Sequence, residues 1–379
     1  KVSEEKKYLN RLIFDEILST YLINSNIKKK FKRKKKLPKK IYANLVNFVE
    51  SRMGFKFTTD QINAVKEINN DISSKERMFR LLQGDVGSGK TVVSLISAQN
   101  TVLNNYQVAF MAPTEILAKQ HFNLFKKIFK NESKSDILTG KTELKKRKEI
   151  LKKLEKNEIN IIFGTHALFQ EKIKFKKLGL IIVDEQHKFG VNQRKKLSEK
   201  GDSNCDVLVM SATPIPRTMM MTLYGDMDVT LIKSKPKNRK EIKTYTKDVN
   251  KINDVINFVK KEIDNDNQIF WICPLIEESK KIDHQSSILR YEYLSKIFKN
   301  DVGLIHGSLD KAEKEIILNK FLFKKIKILV STTVIEVGID FPNATCIIIE
   351  DSNKFGLSQL HQLRGRVGRG NKESTCILL

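Results

Sequence analysis

Short apolar runs separated by amphipathic stretches recur along most of this chain, and that rhythm restricts the fold more than any other feature. From residue 78 to 213 the runs are MFRLLQ, QVAFMA, INIIFGT, LGLIIVDE and DVLVMSAT, with helical patterns between several of them. Runs that are continuously apolar belong to strands buried on both faces, so the pattern predicts a parallel sheet with helices on each side. A polar, proline-containing stretch, KSKPKNRKE (233–241), interrupts the rhythm, which restarts as QIFWICPLI, DVGLIH, KIKILVSTT, TCIIIE and STCILL. The expected fold is therefore α/β in two tandem domains, 55–234 and 235–379; a chain of 379 residues exceeds the size at which single cores stop growing.

Ahead of these domains, YLNRLIFDEILSTYLIN (8–24) places Leu9, Leu12, Ile13, Ile17 and Tyr21 on one helical stripe. The run IKKKFKRKKKLPKK (27–40) then reads as a solvated linker, a strip that touches phosphates, or a nuclear-targeting signal. Residues 1–54 are thus expected to be a helical, basic connecting segment. Lys and Arg number 70 against 44 Asp and Glu, a formal charge of +26, which suits a polyanionic partner. Charge alone does not separate DNA from RNA, an acidic membrane or a solvated lysine-rich surface. Cys205, Cys273, Cys346 and Cys376 lie far apart without paired spacing, the usage of buried, reduced thiols in a cytosolic protein. No apolar stretch approaches the ~20 residues that cross a bilayer, and KVSEEKKYL lacks the core of a signal peptide; a soluble, cytoplasmic, monomeric protein is expected. A chain that begins with Lys and stops inside STCILL reads as an excerpt of a longer polypeptide.

The sharpest motif is GDVGSGKT (84–91), after the apolar FRLLQ and before the helical VVSLISAQNTVL. It is the G-x-x-x-x-G-K-[ST] phosphate loop in its strand-loop-helix setting. Gly84, Asp85, Val86, Gly87, Ser88 and Gly89 let successive N–H groups face phosphates, Lys90 supplies a point charge, and Thr91 offers a hydroxyl to Mg²⁺. In LIIVDEQH (180–187) a strand carries Asp184 to the carboxyl edge of the sheet, where it can hold Mg²⁺, while Glu185 can orient or deprotonate a water. His187 reads equally as a nucleotide-sensing residue and as a satisfied surface histidine. Near the end, HQLRGRVGRG (361–370) sets Arg364, Arg366 and Arg369 among glycines. Arg366 and Arg369, three apart on an expected helical turn, would face the same side and close on ATP, with DNA phosphate contact as the rival and plain surface charge third.

Together these segments resemble superfamily 2 helicases, and most closely the RecG family, over roughly residue 8 to the end. The ordered set is FKFTTDQ, GDVGSGKT, MAPTEILAKQH, GTHALF, DEQHKFGVNQR, SATPIPRT, STTVIEVGIDFPNA and FGLSQLHQLRGRVGRG. The resemblance implies two tandem RecA-like domains that hydrolyse ATP with Mg²⁺ and remodel branched DNA in recombination and repair. By it, Gln61 contacts adenine; Gly338, Asp340, Gln362, Arg366 and Arg369 contact the nucleotide; and Thr114, Gly140, Thr165 and Thr332 hold the nucleic-acid backbone. SATPIP, beginning with Ser211, Ala212 and Thr213, would couple hydrolysis to domain movement, with His187. The family's wedge domain and C-terminal helical hairpin are expected outside these residues. Transcription-repair coupling translocases share SATPIPRT-like and QLHQLRGRVGR-like segments, whereas DEQHKFG favours RecG. A nucleotide-switched DNA-binding module stays open as a different class of function. A small-molecule kinase would leave the second domain and its arginines unexplained.

Overall fold

The computed structural model describes residues 2–32, 36–130, 132–169, 173–184, 205–212, 227–234, 241–274, 280–332, 341, 343–368, 370 and 372–379. The chain divides into two compact units, Lys1–Ser234 and Lys235–Leu379. In the first, β1 (Phe79–Gly84), β2 (Gln107–Met111), β3 (Ser135–Leu138), β4 (Ile161–Gly164), β5 (Leu178–Val183), β6 (Asp206–Ser211) and β7 (Asp228–Ile232) form one sheet. Their order is β3-β4-β2-β5-β6-β1-β7, and every pairing is parallel. Alternation along the strands sends Leu82, Phe110, Phe163, Ile182 and Leu208 into one apolar layer and Leu81, Met111, Ile162, Ile181 and Val207 into the other. Helices α2 (Leu45–Met53), α3 (Thr59–Ser73), α4 (Lys90–Leu103) and α5 (Glu115–Phe129) supply Val49, Ile68, Ile96 and Phe125 to the first layer. Helix α6 (Leu144–Glu155) supplies Ile150 and Leu154 to the second.

The second unit repeats the plan with β8 (Ile242–Thr246), β9 (Gln268–Ile272), β10 (Val302–Ile305), β11 (Ile328–Ser331), β12 (Ala344–Ile349) and β13 (Ser374–Leu378). These run in the order β10-β11-β9-β12-β13-β8, again all parallel. Helices α7 (Ile252–Asp264) and α8 (Lys280–Phe298) pack on the face that carries Trp271. Helices α9 (Lys311–Leu322) and α10 (Leu357–Arg364) pack on the face that carries Phe270. The fold is thus α/β, two tandem parallel sheets covered on both faces. All four cysteines are buried, and none forms a disulfide. Among the described residues no helix is long and apolar enough to cross a membrane.

The N-terminal segment departs from its sequence reading in two ways. Helix α1 (Val2–Lys32) extends past both ends of the expected 8–24 and runs on into the basic stretch, with Tyr8, Leu9, Leu12 and Ile13 exposed. Beyond it, two lysines of the basic run fit neither a solvated linker nor a phosphate strip, while Leu37, Pro38 and Lys40 between and after them are exposed. Lys36 and Lys39 are buried, and each donates from Nζ at 2.6 Å to a different oxygen of Asp206, at the start of β6. Their backbone N–H groups donate to Lys75 and Ile72 carbonyls, and Ile41, Leu45, Val46, Phe48 and Met53 pack on the first unit's core. Residues 36–53 therefore belong physically to the first unit.

All three side chains of this cluster are wholly excluded from solvent. Burial pushes the Lys36 pKa down and the Lys39 ammonium adds to that, against the pull of Asp206. A second acceptor, the Asp71 carbonyl at 2.8 Å from Lys36 Nζ, and the Tyr106 ring beneath Lys39 Nζ at 5.0 Å complete the satisfaction of the two cations. Removing the carboxylate strands two buried ammonium groups, so Asp206→Asn is expected to cost about 3–5 kcal/mol in urea unfolding. The triple replacement Lys36→Met, Lys39→Met, Asp206→Leu is expected to recover part of that loss, because apolar groups need no partners, and to stay about 1–3 kcal/mol below the parent, because the Met78 N–H loses the Asp206 Oδ1 that accepts from it.

Candidate functional site

Parallel strands bring their carboxyl ends to one edge of the sheet, and in the first unit that edge collects nearly every site residue the sequence singled out. At its centre β1 ends in Gly84, the loop 85–89 follows, and α4 opens at Lys90. Gly87 and Gly89 have φ of +79° and +90°, in the left-handed region that side chains resist. A Cβ on Gly89 would lie 2.2 Å from Gln61 Nε2, so the loop closes only around glycine there. Lys90 is buried, and its Nζ donates to the Gly84 and Asp85 carbonyls at 2.5 and 2.9 Å, which fixes a positive charge against the loop. Thr91 follows at the N-terminal end of α4, where unpaired N–H groups and the helix dipole favour anions.

Gln61 reaches this loop from α3. Thr58 caps that helix, and its N–H donates to Gln61 Oε1 at 2.9 Å while Gln61 Nε2 donates to the Ser88 carbonyl at 2.8 Å. Both ends of the amide are thus engaged with backbone, and the glutamine fastens the loop to the helix start. The next residue back, Asp60, accepts from the N–H groups of Ser234 and Lys233, which hold its carboxyl below the ordinary aspartate range.

Strand order places β6 beside β1 and β5 next to β6. Ser211 and Ala212, at the end of β6 and buried, therefore stand between the phosphate loop and Asp184, which follows β5. Asp184 donates its N–H to the Met111 carbonyl at 2.9 Å, and its Oδ2 lies 2.8 Å from His121 Nε2 on α5. The sequence reading quoted His121 in MAPTEILAKQH without giving it a role. A signal was available: Leu117, Ala118, His121, Phe125 and Ile128 form the buried stripe of α5, and a histidine on such a stripe requires a polar partner.

The candidate backbone-contacting residues occupy the other half of the same edge, after the adjacent strands β3, β4 and β2. Thr114 caps α5, accepting from the Leu117 N–H at 3.3 Å. Gly140 is the exposed tip of a turn closed by Thr139 and Thr142, and a Cβ there would lie 3.4 Å from Glu115 Oε1. Thr165 follows β4, whose Gly164 carbonyl accepts from the Ala112 N–H at 2.9 Å. The loops that follow β2 and β4 are thereby joined.

In the second unit Thr332 follows β11, is buried, and has no partner for Oγ1 among the described residues. Arg364 takes a structural part: its Nη2 donates to the Ile242 carbonyl at 2.9 Å and ties α10 to the edge strand β8. The helix is not continued over residues 365–368, where the turn carrying Arg366 was expected. Helix α10 ends at Arg364, and Gly368 adopts φ +72°, so the chain turns away from helical geometry. Arg366 is buried in that turn, and Gln362 is half-buried on α10. Glu185, His187, Thr213, Gly338, Asp340 and Arg369 lie outside the described residues.

Two family profiles match this arrangement, DEAD/DEAH box helicase over residues 58–222 and helicase conserved C-terminal domain over 250–371. The ATP-dependent DNA helicase RecG of Bacillus subtilis (strain 168) is 46% identical over 374 residues, 97% of this chain and 54% of the relative. That of Thermotoga maritima is 46% identical over 384 residues, 99% of this chain and 48% of the relative. A structure of RecG bound to a three-way DNA junction superimposes with a TM-score of 0.84 at 41% identity, covering all of this chain and 50% of that one. The chain belongs to the RecG family of helicases. It spans about half the length of the curated relatives it matches.

The phosphate loop fits a nucleoside triphosphate, and Mg²⁺ fits the donors beside it. Thr91 and Asp184 offer a hydroxyl and a carboxylate, the hard oxygen ligands that Mg²⁺ accepts a few at a time while phosphates and waters supply the rest. Among the described residues no group of three or more His, Cys, Asp or Glu converges as a dedicated protein cage would require. The glycine geometry makes the nucleotide fit testable. Gly89→Ala, strained at φ +90° and blocked by Gln61, is expected to weaken binding of a fluorescent ATP analogue at least ~10-fold, the size of a 1–3 kcal/mol backbone strain.

Proposed function

We propose that this chain is the ATP-driven motor of a branched-DNA-remodelling helicase acting in recombination and repair. The observation that carries the reading is the division of one sheet edge: the phosphate loop, Ser211 and Asp184 follow β1, β6 and β5, and Thr114, Gly140 and Thr165 follow β2, β3 and β4. A phosphate loop alone would serve many enzymes. A second set of loops with hydroxyl and N–H donors on the same edge suits a polymer of phosphates, and gripping backbone rather than bases permits movement independent of sequence. The relatives named above as ATP-dependent DNA helicases and the structure bound to a three-way junction support DNA, and branched DNA, as the partner.

In this reading Lys90 neutralises the β- and γ-phosphates, and loop N–H groups cradle them. Thr91 and Asp184 hold Mg²⁺, which when bound neutralises charge on the phosphate oxygens. Glu185 orients the attacking water and takes its proton. Gln61, Gly338, Asp340, Gln362, Arg366 and Arg369 contact the nucleotide. Ser211, Ala212, Thr213 and His187 relay its state, and Thr332 joins Thr114, Gly140 and Thr165 on the DNA backbone.

Steady-state ATP hydrolysis tests this, with no nucleic acid, linear duplex DNA, forked DNA or single-stranded RNA. DNA is expected to stimulate turnover, most strongly as a fork, and Lys90→Ala is expected to remove about 10²–10³-fold of the stimulated rate, as loss of one fixed charge stabiliser does. ATP binding without any stimulation by DNA would favour a nucleotide-switched clamp over a motor.

A further inference from the structure

We propose that His121 is a positioning residue that fixes the carboxylate of Asp184 for the Mg²⁺ of the bound nucleotide, an inference that rests on the proposed role of Asp184. The backbone of Asp184 is already set by its N–H bond to Met111, which leaves the rotation of its side chain to be decided. Only His121 bonds that carboxylate among the described residues, Nε2 to Oδ2 at 2.8 Å. An ionised carboxylate accepts and cannot donate, so Nε2 carries the hydrogen. Both side chains are largely buried, 6% and 10% exposed, so water competes little for the bond.

The imidazole is itself held. Its ring lies 4.7 Å from that of Phe110, centroid to centroid, and it sits on α5 between Leu117 and Phe125, both in the core. Engaging Oδ2 leaves Oδ1 as the oxygen for a cation. A donor behind a ligating carboxylate commonly changes metal affinity 10–100-fold when removed. A merely structural histidine would alter stability without moving the metal dependence.

The experiment titrates Mg²⁺ into the chain with fluorescent ADP and reads nucleotide binding, in the parent, Asp184→Asn, His121→Phe and His121→Gln. Phenylalanine keeps a ring against Phe110 and removes the donor; glutamine keeps an N–H donor at similar reach. His121→Phe is expected to raise the Mg²⁺ concentration for half-saturation about 10-fold or more, and His121→Gln to return it to within about threefold of the parent. His121→Leu serves the same purpose if far-UV circular dichroism shows the phenylalanine variant unfolded. An Mg²⁺ curve unchanged in the donor-less variant, while Asp184→Asn shifts it, overturns the role of His121 and leaves that of Asp184 standing. A curve unchanged in Asp184→Asn overturns both.

Discussion

Parallel pairing is the constraint from which the rest of this molecule follows. Every strand pair in both sheets is parallel, so each connection must cross over, helices must cover both faces, and all carboxyl ends must gather at one edge. Function is then a matter of which strand ends lie side by side. Because β6 sits between β1 and β5, the phosphate loop and Asp184 are about 10 Å apart across the sheet, two strand spacings. That separation suits a phosphate chain with its cation, and it sets Ser211 between them. Because β2, β4 and β3 continue the same sheet beyond β5, the loops proposed to contact the DNA backbone leave from the same edge without any further device.

Two helices make this edge one connected unit. Helix α3 begins at Thr58, and within four residues its start bonds the chain at 233–234 through Asp60 and the phosphate loop through Gln61. Residues 233–234 are therefore fastened at the same helix start that holds the loop. Helix α5 begins at the Thr114 cap and presents His121 to Asp184 two turns later, about 10 Å along its axis. This helix of 15 residues is anchored by Phe125, Ile128 and Phe129 in the core, so one packed element carries both the Thr114 cap and the partner of the aspartate.

The central strands were legible in the sequence because burial on both faces demands uninterrupted apolar residues; all ten runs form strands. The three strands without such a run, β3, β7 and β8, are each at a sheet edge. There one side of the strand meets solvent, as Lys243, Thr244, Tyr245 and Thr246 do in β8, and the apolar signal is lost. The phosphate loop was legible because its chemistry is local, eight consecutive residues between a strand and a helix. His121 was not, since its partner lies 63 residues away and pattern alone does not pair residues across a sheet. Nor did composition reveal the tie made by Arg364, which in the sequence is one of three similar arginines and in the fold donates to β8.

The buried lysines show most clearly why charge counts mislead. In a run of fourteen residues with ten lysines and arginines, Lys36 and Lys39 look like their neighbours, yet both side chains leave solvent entirely. A buried ion cluster is a poor source of net stability, because desolvation offsets most of the attraction. Its worth here is in register. The segment 36–41 has no regular secondary structure and no apolar pattern to fix its alignment, whereas one carboxylate that must satisfy two ammonium groups three residues apart excludes a slip of one or two residues, which would set Leu37 or Pro38 against it. Asp206 is also the first residue of β6, and its Oδ1 accepts from the Met78 N–H that precedes β1. The same side chain thus sets the connecting segment against the amino ends of the two strands whose carboxyl ends carry Ser211 and the phosphate loop, and through them the segment is tied to the frame on which the nucleotide site is built.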